Sequence, residues 1–258
     1  VHSLVKRRTL NVRAPFHLYG PAALCRMDSS LLSGVAEPGK QFRIVVMACI
    51  TVVIGTALYG FAFGYWRSPV QGLYSAVKMP LLFLSVILTT TAINTILAQI
   101  MGAGLSLRRV TMIVLLAMAV TSAILGCFSP VALFLVTNMP SPDPAILGFQ
   151  FNDPLVARSA ATYWLLLLGH VAVIGIAGIA GNIRLYRLLR SLTTKKMALS
   201  LLLTWIIVIG FVGCQLSWLF SPFLCKPTQL PHIFPKEYFQ ENFYERVLRA
   251  IEAVFHGP

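Results

Sequence analysis

Residues Leu81–Met101 read LLFLSVILTTTAINTILAQIM, a run without a single Asp, Glu, Lys or Arg. At about 1.5 Å of rise per residue, such a run forms a helix of roughly 30 Å, the thickness of a bilayer's hydrocarbon core. Lys78 precedes it, and Arg108 and Arg109 follow it. Four further blocks repeat the pattern: Ile44–Tyr65, Val110–Val136, Tyr163–Ile183 and Leu199–Phe220, each free of formal charge. The chain therefore reads as an all-α integral membrane protein with about five transmembrane helices. Composition agrees, with 57% hydrophobic and 11% charged residues, against about 45–50% and about 25% in soluble domains. The third block is overlong and carries Pro130 near one end, which predicts a kink or tilt. Splitting that block into two spans would leave both cramped.

The net charge of +13 invites a nucleic-acid partner, and its distribution removes the invitation. With the N-terminus on the cytoplasmic side, that side holds Lys6, Arg7, Arg8, Arg13, Arg26, Lys40, Arg43, Arg108, Arg109, Arg184, Arg187, Arg190, Lys195 and Lys196, against only Asp28 and Glu37. The other basic residues share the opposite side with Asp143, Asp153, Glu237, Glu241, Glu245 and Glu252. This is the positive-inside asymmetry. It predicts a membrane location of the bacterial inner-membrane type, with the C-terminus on the outer, periplasmic face. The basic face also suits anionic lipid headgroups, with Arg184, Arg187 and Arg190 clustered at the end of the fourth span.

Three regions follow: a basic cytoplasmic arm at 1–43, a five-span membrane domain at 44–220, and an outer segment at 221–258. Between the first two spans, Ser68-Pro69 makes an N-cap and first-turn pair. Val70, Leu73, Tyr74 and Val77 fall on one helical face, predicting a short interfacial helix with Trp66 and Tyr74 at headgroup level. It should end at Lys78, with Pro80 opening the second span. Asp153-Pro154 is a second such pair, and a helix from there to Arg190 would overhang the core at both ends. Beyond the fifth span, Pro222, Pro227, Pro231 and Pro235 break the chain. A last amphipathic helix then places Phe243, Val247, Ile251 and Val254 on one stripe, with Glu241, Glu245, Arg249 and Glu252 facing away.

Gly60 and Gly64 form a GxxxG in the first span, and Gly175, Gly178 and Gly181 give the fourth a small-residue flank. Such residues let helix backbones approach closely, within one chain or between chains. Ionisable groups inside a membrane are functional suspects, and His170 stands nearly alone. Its small neighbours suit an axial ligand to a tetrapyrrole; it can equally hydrogen-bond across helices within a polar set of Asn94, Gln99, His170 and Gln215. No intramembrane carboxylate is present to carry protons or bind sodium. No phosphate loop, HExxH or GxSxG occurs, and the cysteines form no CxxC, so no catalytic residue and no metal site are nominated. The cofactor, if there is one, stays unknown.

Leu58-Tyr59-Gly60, Trp66-Arg67-Ser68-Pro69, Lys78-Met79-Pro80-Leu81, Gly181-Asn182-Ile183-Arg184-Leu185 and Trp218-Leu219-Phe220-Ser221-Pro222-Phe223 resemble segments of a group of bacterial multi-span membrane proteins. The chain also resembles the Yip1-like membrane proteins, which have five spans and are associated with membrane trafficking or assembly. Neither resemblance brings established catalytic residues; both imply architecture. The expectation is a non-catalytic membrane subunit that scaffolds or stabilises a larger complex, with a membrane-protein partner or a second copy of itself. The alternatives are a carrier or channel for a neutral or lipidic solute, and a tetrapyrrole protein built on His170.

Overall fold

The computed structural model describes residues 38–148, 154–220, 228 and 243–256. Residues 1–37 of the basic arm, Asp153 and the proline-rich segment 221–235, Thr228 excepted, lie outside them. Five long helices follow in order: α1 (Pro38–Gly64), α2 (Pro69–Ile100), α3 (Leu107–Asn138), α4 (Ala157–Leu192) and α5 (Lys195–Phe220). A shorter helix, α6 (Phe243–His256), comes last, and single 3-10 turns at Pro144–Ile146 and Pro154–Val156 lead into α4. Among the described residues there is no strand. All five long helices have the length and apolarity to cross a membrane. Their outward faces are apolar too: Ile54, Leu58, Leu88, Ile96, Phe134, Ile176, Ile207 and Phe211 are all exposed. Such a surface needs lipid as its solvent.

One expectation is corrected here. The segment after Ser68 is not a separate interfacial helix but the opening turns of α2, which runs unbroken through Pro80 for 32 residues. Ser68 caps it as expected, accepting a hydrogen bond from the Gln71 backbone N–H at 3.1 Å. Lys78, expected as its polar stop, is instead buried. Trp66 is also buried, and its indole Nε1 donates to the Pro140 carbonyl at 3.0 Å, which ties the end of α1 to the end of α3. A proline inside a span is tolerated where other groups take up the hydrogen bonds it frees. At Pro130 the remedy is visible: proline leaves the Gly126 carbonyl without its N–H donor, and the Ser129 hydroxyl donates to that oxygen at 2.7 Å. So α3 continues past Pro130 to Asn138 as one helix.

Short connections make sequence neighbours antiparallel, and each consecutive pair of the five packs together. Contacts of α1 with α3 and of α2 with α5 close the five into a ring, and α2 also touches α3 across it. Arg43, Arg108, Arg109, Arg187, Arg190, Lys195 and Lys196 consequently gather at one end of the bundle, the basic end. The helices differ in enclosure: α3 is buried along most of its length, whereas in α5 only Ala198, Leu201 and Trp205 are buried. Where α1 crosses α3 the backbones nearly touch. A Cβ on Gly126 would lie 2.9 Å from the Gly55 Cα, and one on Gly55 would collide with the Ser122 carbonyl. At the end away from the basic one, α6 packs on α4 and α5, with the Tyr244 side chain beside the Cys214 thiol.

Candidate functional site

Tyr59, Phe63 and Trp66 recur at i, i+4 and i+7, one face of a helix. All three are buried, and α4 meets them with Tyr163 and His170. The rings form two groups along this face: Trp66 with Tyr163 at 6.5 Å between centroids, and His170 with Phe63 at 4.7 Å and with Tyr59 at 5.3 Å, the last two planes only 17° apart. Within the second, His170 Nδ1 and the Tyr59 hydroxyl are joined by a 2.9 Å hydrogen bond. In the tautomer with its proton on Nε2 the phenol donates; in the other the imidazole does. Tyr59 is 0% and His170 1% exposed. An ion there would be costly in so apolar a setting, so the pair is built to join two helices as neutral partners. Tyr59 and Phe63 pack against the imidazole ring, and its Nδ1 is engaged in the interhelical bond to the Tyr59 phenol.

The four polar residues proposed as one set are dispersed. His170 takes Tyr59 as its partner. Gln99 donates through Nε2 to the Leu105 carbonyl at 2.8 Å, closing the turn between α2 and α3. Gln215 is half-buried near the far end of α5. Asn94 is fully buried in α2, and neither amide atom has a hydrogen-bond partner. Among the described residues, no group of three His, Cys, Asp or Glu side chains could hold a metal.

The glycines divide by what surrounds them. A Cβ on Gly60 or Gly64 would strike Ser75 of α2, and one on Gly181 would strike Thr121 of α3, so these three serve contacts inside the bundle. At Gly175 and Gly178, and equally at Gly169, Gly210 and Gly213, a Cβ would meet nothing within 4 Å. The three arginines divide as well. Arg187 and Arg190 are exposed at the basic end, while Arg184 is buried within the bundle.

Searches of family models, curated proteins and solved structures find no match to this chain. Function must then be argued from geometry. Sequence reasoning missed Tyr59 as the histidine's partner, although its i, i+4, i+7 relation to Phe63 and Trp66 was there to find. It also missed Thr91 and Trp205, which are buried with a polar atom left over; nothing in their local sequence signals this.

Proposed function

We propose that this protein is a non-catalytic polytopic membrane subunit that scaffolds or stabilises a larger membrane complex, receiving a partner's transmembrane helix on α4 or α5. The division of the glycines carries this reading. Gly55, Gly60 and Gly64 of α1, together with Gly126 and Gly181, are used up in close approaches within the chain. Five on α4 and α5 are bare, on the two least enclosed spans, among exposed Leu165, Ile176, Ile179, Ile207 and Phe211. Glycine gains nothing from facing lipid, and small residues in a span matter where another helix comes close. The placement of His170 and Tyr59 as a neutral bridge also suits a structural role. The lysine and arginine asymmetry supports a bacterial inner membrane with the N-terminus cytoplasmic and the C-terminus periplasmic.

Purification in mild detergent with whatever remains attached, identified by mass spectrometry, tests the proposal. A membrane protein at fixed stoichiometry, or a second copy of this chain, is expected. Gly175→Leu with Gly178→Leu should release a partner seated on α4 and leave the subunit's own unfolding midpoint nearly unchanged, because a Cβ at either position meets nothing within 4 Å. A lone monomer that moves solute across liposomes, or a partner indifferent both to these substitutions and to Gly210→Leu with Gly213→Leu, would overturn the reading.

A further inference from the structure

Hydroxyls inside these spans are consistently satisfied by their own helix. Thr51, Thr56, Thr90, Thr95, Thr121 and Ser122 each donate to the carbonyl four residues back. Thr91 breaks the pattern. It is 5% exposed, and its hydroxyl has no partner. Asn94, one turn further along α2 and 0% exposed, has neither its amide oxygen nor its nitrogen paired. Trp205 on α5 is 0% exposed and its indole N–H is unpaired. Buried polar groups are almost always hydrogen-bonded, and an orphan in a low-dielectric interior costs more than a missing contact. Four such atoms on two packed helices ask for an occupant.

Their location follows from helix geometry. Ile87, Thr91, Asn94 and Ala98 recur at steps of three and four on one side of α2, and all are buried. The continuation of that side towards Ser68 is exposed at Leu73 and Leu84. Pro80, on the same side between them, is buried, so the cover is continuous only in the half nearer the basic end. α5 packs on α2, and the residues that it buries, Ala198, Leu201 and Trp205, lie in its half nearer the same basic end. By rise alone, Thr91 and Asn94 lie roughly 9–14 Å from the basic end of α2 and Trp205 about 15 Å from that of α5, so they share a level.

We propose that the α2–α5 seam holds a buried binding site for a small uncharged hydrogen-bonding molecule, with Thr91, Asn94 and Trp205 as its polar contacts. The indole and the amide N–H groups donate, the amide oxygen accepts, and the Thr91 hydroxyl does either. None of the three is charged, so a neutral guest meets every group without bringing an uncompensated ion into the bundle. An ordered water and a neutral polyol or amide share this chemistry. The α5 wall, loosely held elsewhere, is the side through which a guest would enter. This inference stands apart from the scaffold reading and survives its failure.

Nuclear magnetic resonance of the full chain in mild detergent, labelled at its four indole nitrogens, provides the test. The Trp205 signal is assigned by its loss in Trp205→Phe or by elimination using the other three tryptophans. A cross-peak from the Trp205 N–H to water, lost in Asn94→Leu, identifies water as the guest. A saturable shift of that signal on titration with glycerol, absent in Asn94→Leu, identifies a neutral organic guest. A Trp205 signal that contacts neither water nor glycerol, or one whose contact Asn94→Leu leaves unchanged, overturns the proposal.

Discussion

Tyr59→Phe removes one oxygen and keeps the ring that stacks on His170. The substitution therefore isolates the 2.9 Å hydrogen bond from the packing around it. Hydrogen bonds between membrane helices average about 0.6 kcal/mol and reach about 1.7 kcal/mol. Leaving the His170 Nδ1 buried without its partner adds a desolvation cost, of order 1–3 kcal/mol for an orphaned polar group. Tyr59 and His170 are both essentially inaccessible, so a cost in the middle of that range applies, about 2 kcal/mol for Tyr59→Phe. His170→Leu strands the phenol instead and should cost a similar amount. The double variant leaves nothing orphaned, so its loss should fall short of the sum by about 1 kcal/mol or more. Reversible unfolding in mixed micelles, titrated with a denaturing detergent, reads all four corners of the cycle. Losses that add to within about 0.3 kcal/mol, the behaviour of independent sites, would show that the two side chains do not act as a bonded pair.

Gly55→Ala drives a methyl into the Ser122 carbonyl and should destabilise the bundle by about 1–3 kcal/mol, the usual cost of overpacking; Gly175→Ala, which meets nothing, should be neutral, and thermal unfolding of the two side by side checks the contrast. Ser129→Ala withdraws the hydroxyl that serves the Gly126 carbonyl and should cost about 1 kcal/mol, the net worth of a typical hydrogen bond, measured the same way. The purified protein should show no visible absorption band that depends on His170, and a band abolished by His170→Ala would restore the tetrapyrrole reading. Deleting residues 243–258 removes the helix that places Tyr244 beside Cys214, so Cys214 should alkylate faster with a membrane-permeant maleimide.

Hydropathy made the spans legible because a bilayer imposes one requirement on every residue of a crossing helix: no unpaired charge facing lipid. The block centred on Leu81–Met101 was found for that reason, yet its start was misjudged. Lys78 and Pro80 are strong local stop signals, and they were overridden because α2 is braced along Gly60 and Gly64 of α1, where Ser75 and Met79 lie within contact distance of the glycines. Local rules cannot see that neighbour. The same blindness governed His170. Its isolation in an apolar run was readable, but the choice between Tyr59, Asn94, Gln99 and Gln215 depends on how deeply each sits and on which helix crosses α4 at that level. The glycine flank shows the limit most sharply. Gly175, Gly178 and Gly181 are spaced alike in sequence, yet Gly181 is pressed against Thr121 while the other two face open space.

The uneven enclosure of the helices ties the two proposals to different physical causes. Around α3, backbones meet at Gly55 and Gly126 and hydroxyls bond back to their own helices, so polar atoms are satisfied and the packing leaves little slack. At α5 both conditions fail together. Its buried stripe is short, its glycines Gly210 and Gly213 are bare, and the polar atoms it covers on α2 find no partner in the protein. A helix held by so little of its surface needs stabilisation from elsewhere, and two sources remain: a neighbouring span against its outer face, or a guest completing the hydrogen bonds beneath it. The two are separable, since Gly175 and Gly178 lie outside the seam and Asn94 lies within it. Loss of a partner without change at the Trp205 indole, and loss of a guest without release of the partner, would show that α4 and α5 serve assembly on one side and binding on the other.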